Sequence, residues 1–287
     1  MLKMEKKIFE LVDKYRLALS LLLVLALTLY LRKIGVWWNY SRVATAFDMH
    51  QNYIESSLYH LLVKLVQYIP ILPLHSIKWL AGLCDYILVF LCVYSVEASV
   101  KKWREREIIT YIVLIFSPVL YIRGIIWGQI DSVAMVFLVL AYLLWEKKRI
   151  LPALVSATLA CALYPCLLPI VVIYFFYVDK EKSFFFVMWI LVGTSVLLGL
   201  CSMALGNGFL EGVETMLRWG TYNMLYGTLF SFGTDWLLQL LVLYGLPVST
   251  LMILGTLQGK VSYKWTVLLH VLATIWYGSI IFLEKLY

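Results

Sequence analysis

The sequence predicts an all-α fold, a polytopic bundle of transmembrane helices, and three observations carry that prediction. Apolar residues make up 63% of the chain and charged residues 14%, against roughly half and one quarter in a soluble domain. The apolar residues gather in runs such as Leu17–Leu31, Ile77–Val96 and Phe184–Leu205, each near the ~20 residues a helix needs to cross a bilayer. These runs do not alternate polar with apolar positions, as membrane-barrel strands must, so the backbone has to satisfy its N–H and C=O groups within helices.

The first run, Leu17–Leu31, follows Lys3, Lys6, Lys7, Lys14 and Arg16, the flank of a signal peptide. It has no small-residue cleavage site and continues into Arg32 and Lys33, so it reads as a retained span. Further spans are expected at Pro73–Val96, Ile108–Ile122, Ser132–Trp145, Leu151–Leu163, Pro165–Tyr177, Phe184–Leu205, Trp236–Leu257 and Thr266–Leu283, about nine in all. The stretch from Ile150 to Val178 is long for one span and short for two. Two short helices broken at Tyr164-Pro165 fit better, because proline ends a helix and a single span would carry Lys180, Lys182, Lys260 and Lys264 outside.

With a cytoplasmic N-terminus, alternation places Lys101–Arg106, Lys147–Arg149, Lys180–Lys182 and Lys260–Lys264 inside, roughly two-thirds of all Lys and Arg. Topology thus accounts for the net charge of +7. The basic residues form no continuous patch, so no nucleic-acid partner is expected. Cys84, Cys92, Cys161, Cys166 and Cys201 lie in apolar runs without Cys-x-x-Cys spacing and read as buried free thiols.

The chain reads as a single transmembrane domain, 1–287, with non-cytoplasmic connections at 33–72, 123–131 and 207–235. In the first, Tyr53, Leu58, Leu61, Leu62, Leu65 and Val66 recur at helical spacing with Glu55, His60 and Lys64 between them. That pattern predicts an amphipathic interfacial helix on the outer membrane surface.

Polar chemistry gathers in these connections. Asp48 sits among Trp37, Trp38, Tyr40 and Tyr53, where a carboxylate accepts a proton or holds a divalent cation; as a bland alternative it is a solvated acid or a helix cap. His50 lies two residues on, and with His60 and His75 it lacks metal-ligand spacing. Trp127-Gly128-Gln129-Ile130-Asp131-Ser132 opens a span. Asp131 alone would serve as a cap at the helix's positive end, a role that requires neither Trp127 nor Gln129. Arg123 is either functional or an interfacial residue snorkelling to headgroups. Arg218 lies in a polar loop with Tyr222 and Asn223. Asp85 falls inside a span, where an acid is rare unless it faces a partner.

Ser117-Pro118, followed by the Trp127 to Ser132 run and an apolar helix, resembles the corresponding stretch of GT-C-fold glycosyltransferases, and bacterial mannosyltransferase-like members most. The similarity covers about half the chain, from Arg32 to Tyr177, and includes the acids Asp48 and Asp85. It implies an integral membrane enzyme that moves a sugar, mannose-like, from a polyprenyl-phosphate carrier to an acceptor outside the bacterial cytoplasmic membrane. Asp48 would be the catalytic carboxylate, with Mg or Mn as the cation if one is used. Arg123, Trp127, Gln129, Asp131, Arg218, Tyr222, Asn223 and His50 would form the donor and acceptor sites. Two departures support an alternative, a non-catalytic partner subunit or lipid-carrier-binding protein. Where family members often carry a lysine this chain has Tyr164-Pro165, and it is short for the class. A small transporter with a broken helix is a third reading.

Overall fold

The computed structural model describes residues 7, 10–11, 14–15, 18–19, 22–23, 25–26, 56–66, 68, 73–97, 131–165, 167–178, 180–214, 248, 250–252, 255–256 and 261–284. Among the described residues all regular structure is helical and no strand occurs. The main helices are α1 (Ser57–Val66), α2 (Pro73–Glu97), α3 (Asp131–Glu146), α4 (Ile150–Leu163), α5 (Leu167–Val178), α6 (Lys180–Ala204) and α7 (Tyr263–Glu284). Described residues between 7 and 26, and between 248 and 256, are also helical. The expected span Ile108–Ile122 lies outside the described residues, as do most of Trp236–Leu257 and the end of Leu17–Leu31.

Local chemistry sets the helix boundaries. α2 opens on Pro73, whose missing N–H costs nothing in a first helical turn. α4 ends before Tyr164-Pro165 because a residue preceding proline is pushed out of helical geometry, and Tyr164 has φ −138° and ψ 84°. The expected break into two short helices is therefore present. α6 corrects the sequence reading at one end: Lys180 and Lys182 belong to its first turn, not to a loop. No proline or glycine interrupts residues 180–184, so the helix simply extends past its apolar segment, as propagation costs little once a helix is nucleated.

α3 and α4 form an antiparallel hairpin across Lys147-Lys148-Arg149. Lys148 takes a left-handed φ of 58°. Its N–H donates to the Trp145 carbonyl at 2.8 Å, and the Arg149 N–H donates to the Leu144 carbonyl at 2.9 Å, the paired bonds of a Schellman cap. α6 ends the same way. Gly206 has φ +90°, its N–H donates to Met203, and the Asn207 N–H donates to Ser202, both at 3.0 Å.

α3 packs between α2 and α4, α4 also meets α5 and α6, and α5 meets α6. The Trp145 and Phe186 rings lie 4.6 Å apart, so the end of α3 meets the beginning of α6. Lys147, Lys148 and Arg149 thus share one end of the bundle with the start of α6. α4 crosses α6 closely at its middle, where a Cβ added to Gly193 would come within 3.1 Å of Thr158 Cγ2.

Side chains are not sorted by polarity, since large apolar groups face outward while several hydroxyl-bearing ones are buried. On α6, Phe185, Trp189, Val192, Val196, Leu200 and Met203 face outward, whereas Ile190, Thr194, Leu198, Cys201 and Ser202 are buried. On α4, Ile150, Leu151 and Val155 are exposed while Ala153, Ser156, Ala157, Ala160 and Cys161 are buried. Water would select the reverse, with polar residues outside. Small and hydroxyl-bearing residues at helix contacts, with large apolar ones outside, are the arrangement lipid favours. Among the described residues one helix, Phe184–Ala204, is both long and apolar enough to cross a membrane. Cys84, Cys92, Cys161 and Cys201 are buried thiols outside any disulfide among the described residues, as the sequence predicts; Cys166 lies outside the described residues.

Candidate functional site

The end of the bundle opposite Lys147–Arg149 carries the polar architecture. It is stepped. Thr158 of α4 is level with Gly193 of α6, so five residues further along each helix α4 finishes at Leu163 level with Leu198. α6 continues six residues more to Ala204, about 9 Å at 1.5 Å per residue. The short α4–α5 hairpin therefore stops well below the end of α6.

α1 is seated on this step through its first turn. The Ser56 hydroxyl donates to the Leu163 carbonyl at 3.2 Å and accepts the Tyr59 N–H at 3.1 Å. One side chain thus caps α1 and satisfies a carbonyl that the end of α4 leaves without a helical partner. The Ser57 hydroxyl donates to the Leu198 carbonyl at 2.7 Å. Ser56, Ser57, Tyr59 and Val66 are buried, and Lys64, Leu65 and Tyr68 are exposed. The helix expected to lie on the membrane surface is present, but its N-terminal turn is held against protein, along the side of α6.

The chain beyond α6 returns to the same place. The Ser202 hydroxyl donates to the Gly208 carbonyl at 2.9 Å, and residues 209–214 form a short helical turn. The Phe209 ring occupies the space a side chain on Gly199 would need. Gly212 lies so close to α6 that an added Cβ would collide with the Leu198 carbonyl and approach Ser202 Cβ within 2.8 Å. Leu198 is consequently met from two directions, by Ser57 and by Gly212.

Asp131 is the first residue of α3, and the α3–α4 hairpin brings this N-terminus to the same end as Leu163. The first turn is the positive end of a helix, where an acidic residue is favoured in general. The next residue, Ser132, is completely buried, and its hydroxyl has no hydrogen-bond partner among the described residues. Asp85 is also fully buried, inside α2. Among the described residues, no three of His, Cys, Asp and Glu come together as a metal site.

Of the residues assigned from sequence to the catalytic, donor and acceptor sites, only Asp131 is described, and by its backbone place alone. Asp48, His50, Arg123, Trp127, Gln129, Arg218, Tyr222 and Asn223 lie outside the described residues. Three roots converge at the stepped end: α1, which follows Asp48; α3, which follows the Trp127 to Asp131 run; and residues 209–214, which precede Arg218. Sequence reasoning missed the anchors Ser56 and Ser57. Paired serines opening an apolar helix were the available signal for a cap, but not for what they reach. It also missed a buried hydroxyl cluster in the C-terminal part, where Thr256 Oγ1 and Thr266 Oγ1 are 2.6 Å apart and His270 Nδ1–H donates to the Thr266 carbonyl at 2.7 Å.

Comparison with known proteins finds no matching family model, no matching curated protein and no matching solved structure.

Proposed function

We propose that this chain is a membrane-embedded glycosyltransferase of GT-C type, transferring a sugar from a polyprenyl-phosphate carrier to an acceptor hydroxyl on the non-cytoplasmic face. The observation that carries the reading is the position of Asp131. It closes the Trp127-Gly128-Gln129-Ile130-Asp131 run that resembles those enzymes and opens α3 at the stepped end of the bundle. The outward apolar face of α6 supports an intramembrane bundle, with Lys147–Arg149 and the first turn of α6 at the cytoplasmic end.

In this account the Asp48 carboxylate takes the proton of the acceptor hydroxyl, and the acceptor oxygen forms a bond to the anomeric carbon. The bond from that carbon to the carrier's phosphate oxygen breaks, and the phosphate leaves with the electron pair. Arg123 and Arg218 offset the charge that develops on it. Approach opposite the leaving group inverts the anomeric centre. The test uses the purified protein in lipid with radiolabelled polyprenyl-phosphate sugar, with and without Mg or Mn, beside Asp48→Asn. Transfer by the wild type and its loss in Asp48→Asn are expected; full transfer by a folded Asp48→Asn protein would remove Asp48 from the mechanism.

A second reading, a partner subunit that binds carrier without turning it over, is favoured by Tyr164. This residue is buried at the α4–α5 break, at a point where the resembling enzymes often carry a lysine able to meet donor phosphate. Carrier binding without transfer in both proteins would select it.

A further inference from the structure

We propose that α4 and α5 form a re-entrant hairpin, which enters the membrane beside Lys147–Arg149, turns at Tyr164-Pro165 inside the hydrocarbon and returns to the same side without crossing. Resting on the membrane-embedded part of the proposed function and not on sugar transfer, the hairpin replaces two of the expected spans. Helix lengths carry it. The apolar segment of α6, Phe184–Ala204, has 21 residues, about 31 Å of helix, which matches the ~30 Å hydrocarbon of a bilayer. α4 has 14 residues and α5 has 12, only about 21 and 18 Å. Because Thr158 lies against Gly193, Ile150 is level with Phe185 and Leu163 with Leu198. The serines mark the same register independently, since the neighbours Ser56 and Ser57 reach the Leu163 and Leu198 carbonyls. With the apolar segment of α6 filling the hydrocarbon, the turn stops about 9 Å short of its outer face.

The chemistry of the turn agrees with that depth. From Ile150 to Val178 no residue is charged, whereas Lys147-Lys148-Arg149 and Lys180-Glu181-Lys182 flank the stretch. Non-helical backbone at membrane depth is tolerated only where protein buries it, and Leu163, Tyr164 and Pro165 are buried. Its polar groups are also paired. The Tyr164 N–H donates to the Ala160 carbonyl at 3.0 Å, the Leu167 N–H to Tyr164 at 2.9 Å and the Leu168 N–H to Pro165 at 3.0 Å. Pro165 has no N–H to satisfy, and the Ser56 hydroxyl covers the Leu163 carbonyl. Ser56, Ser57 and Tyr59 are buried over the turn, so the first turn of α1 lies at the same depth, below the membrane surface and not on it.

The test is a depth measurement on the full-length protein in lipid vesicles. Nitroxide labels are placed on Leu168→Cys, Val172→Cys, Val192→Cys, Leu200→Cys and Met203→Cys, with the five native cysteines replaced by alanine, and their access to oxygen and to a water-soluble nickel complex is compared. The Leu168 label is expected within about 3 Å of the depth of the Leu200 label and about 7 Å deeper than the Met203 label, with the Val172 label about 6 Å deeper again. A Leu168 label as shallow as the Met203 label means that the hairpin crosses, and overturns the proposal. If the cysteine-free protein does not fold, Leu168→Lys in the native chain decides. It is expected to lower the carbonate-resistant fraction as Leu200→Lys does, and tolerance equal to that of Met203→Lys overturns the hairpin. A Val192 label open to the nickel complex removes the membrane reading and the hairpin together. The expected depths in a protein without transfer activity remove the transferase reading alone and uphold the hairpin.

Discussion

Placing a lysine in the outward face of α6 separates a helix in lipid from a helix in water. Val192 and Val196 flank the centre of the Phe184–Ala204 segment and are 48% and 45% exposed. On a water-facing surface, Val192→Lys or Val196→Lys would change stability by no more than about 0.5 kcal/mol. In lipid the valine contributes about −0.3 to −0.6 kcal/mol to insertion and a central lysine costs about 2.5–3.5 kcal/mol. The difference is about 3–4 kcal/mol, a roughly 100- to 1,000-fold shift in the insertion equilibrium. Met203→Lys, near the helix end and 55% exposed, should cost much less, since its ammonium group can snorkel to the interface. The assay is the carbonate-resistant fraction of full-length protein, with cysteine accessibility on both flanks of α6 reporting whether they stay on opposite sides. Central variants that insert and unfold like the wild type, while Met203→Lys also does, would refute the argument that this face meets lipid.

Other substitutions probe the packing and the caps. Ala157→Leu, in the buried face of α4, should destabilise the protein by about 1–3 kcal/mol through overpacking, whereas Val155→Leu on the exposed face should be nearly neutral; thermal unfolding in detergent compares them. Gly206→Ala should cost about 1 kcal/mol because an alanine at φ +90° is strained, and Lys148→Gly should relieve the same strain at the end of α3. Ser56→Ala removes the cap of α1 and its bond to Leu163, for a loss of about 1–2 kcal/mol that Ser56→Thr largely restores.

Much of the helical layout was legible before the structure. The ends of α2, α3, α4 and α7 fall within a few residues of the expected spans, because long apolar runs and the Tyr164-Pro165 break act locally. α6 starts earlier than expected since helices outlast their apolar segments when nothing stops them. The seat of α1 was not legible: Ser56 and Leu163 are 107 residues apart, and periodicity shows which face of a helix is apolar without showing what covers it. The same holds for Gly212, whose role depends on the proximity of a carbonyl on another helix. Asp131 was placed at a helix start by its motif alone, and its membership of the stepped end follows only once the Lys147–Arg149 hairpin is closed. The remaining proposed site residues, Asp48 and Arg218 above all, rest on the resemblance and lie outside the described residues.

The most direct measurement of the central claim is sugar transfer in proteoliposomes sorted by orientation, with labelled polyprenyl-phosphate sugar in the bilayer and a water-soluble acceptor on one side only. The account predicts transfer when the acceptor faces the end of the bundle opposite Lys147–Arg149, and none from the other side. Carrier binding with no transfer from either side, in the wild type as in Asp48→Asn, would contradict it and establish the chain as a carrier-binding partner.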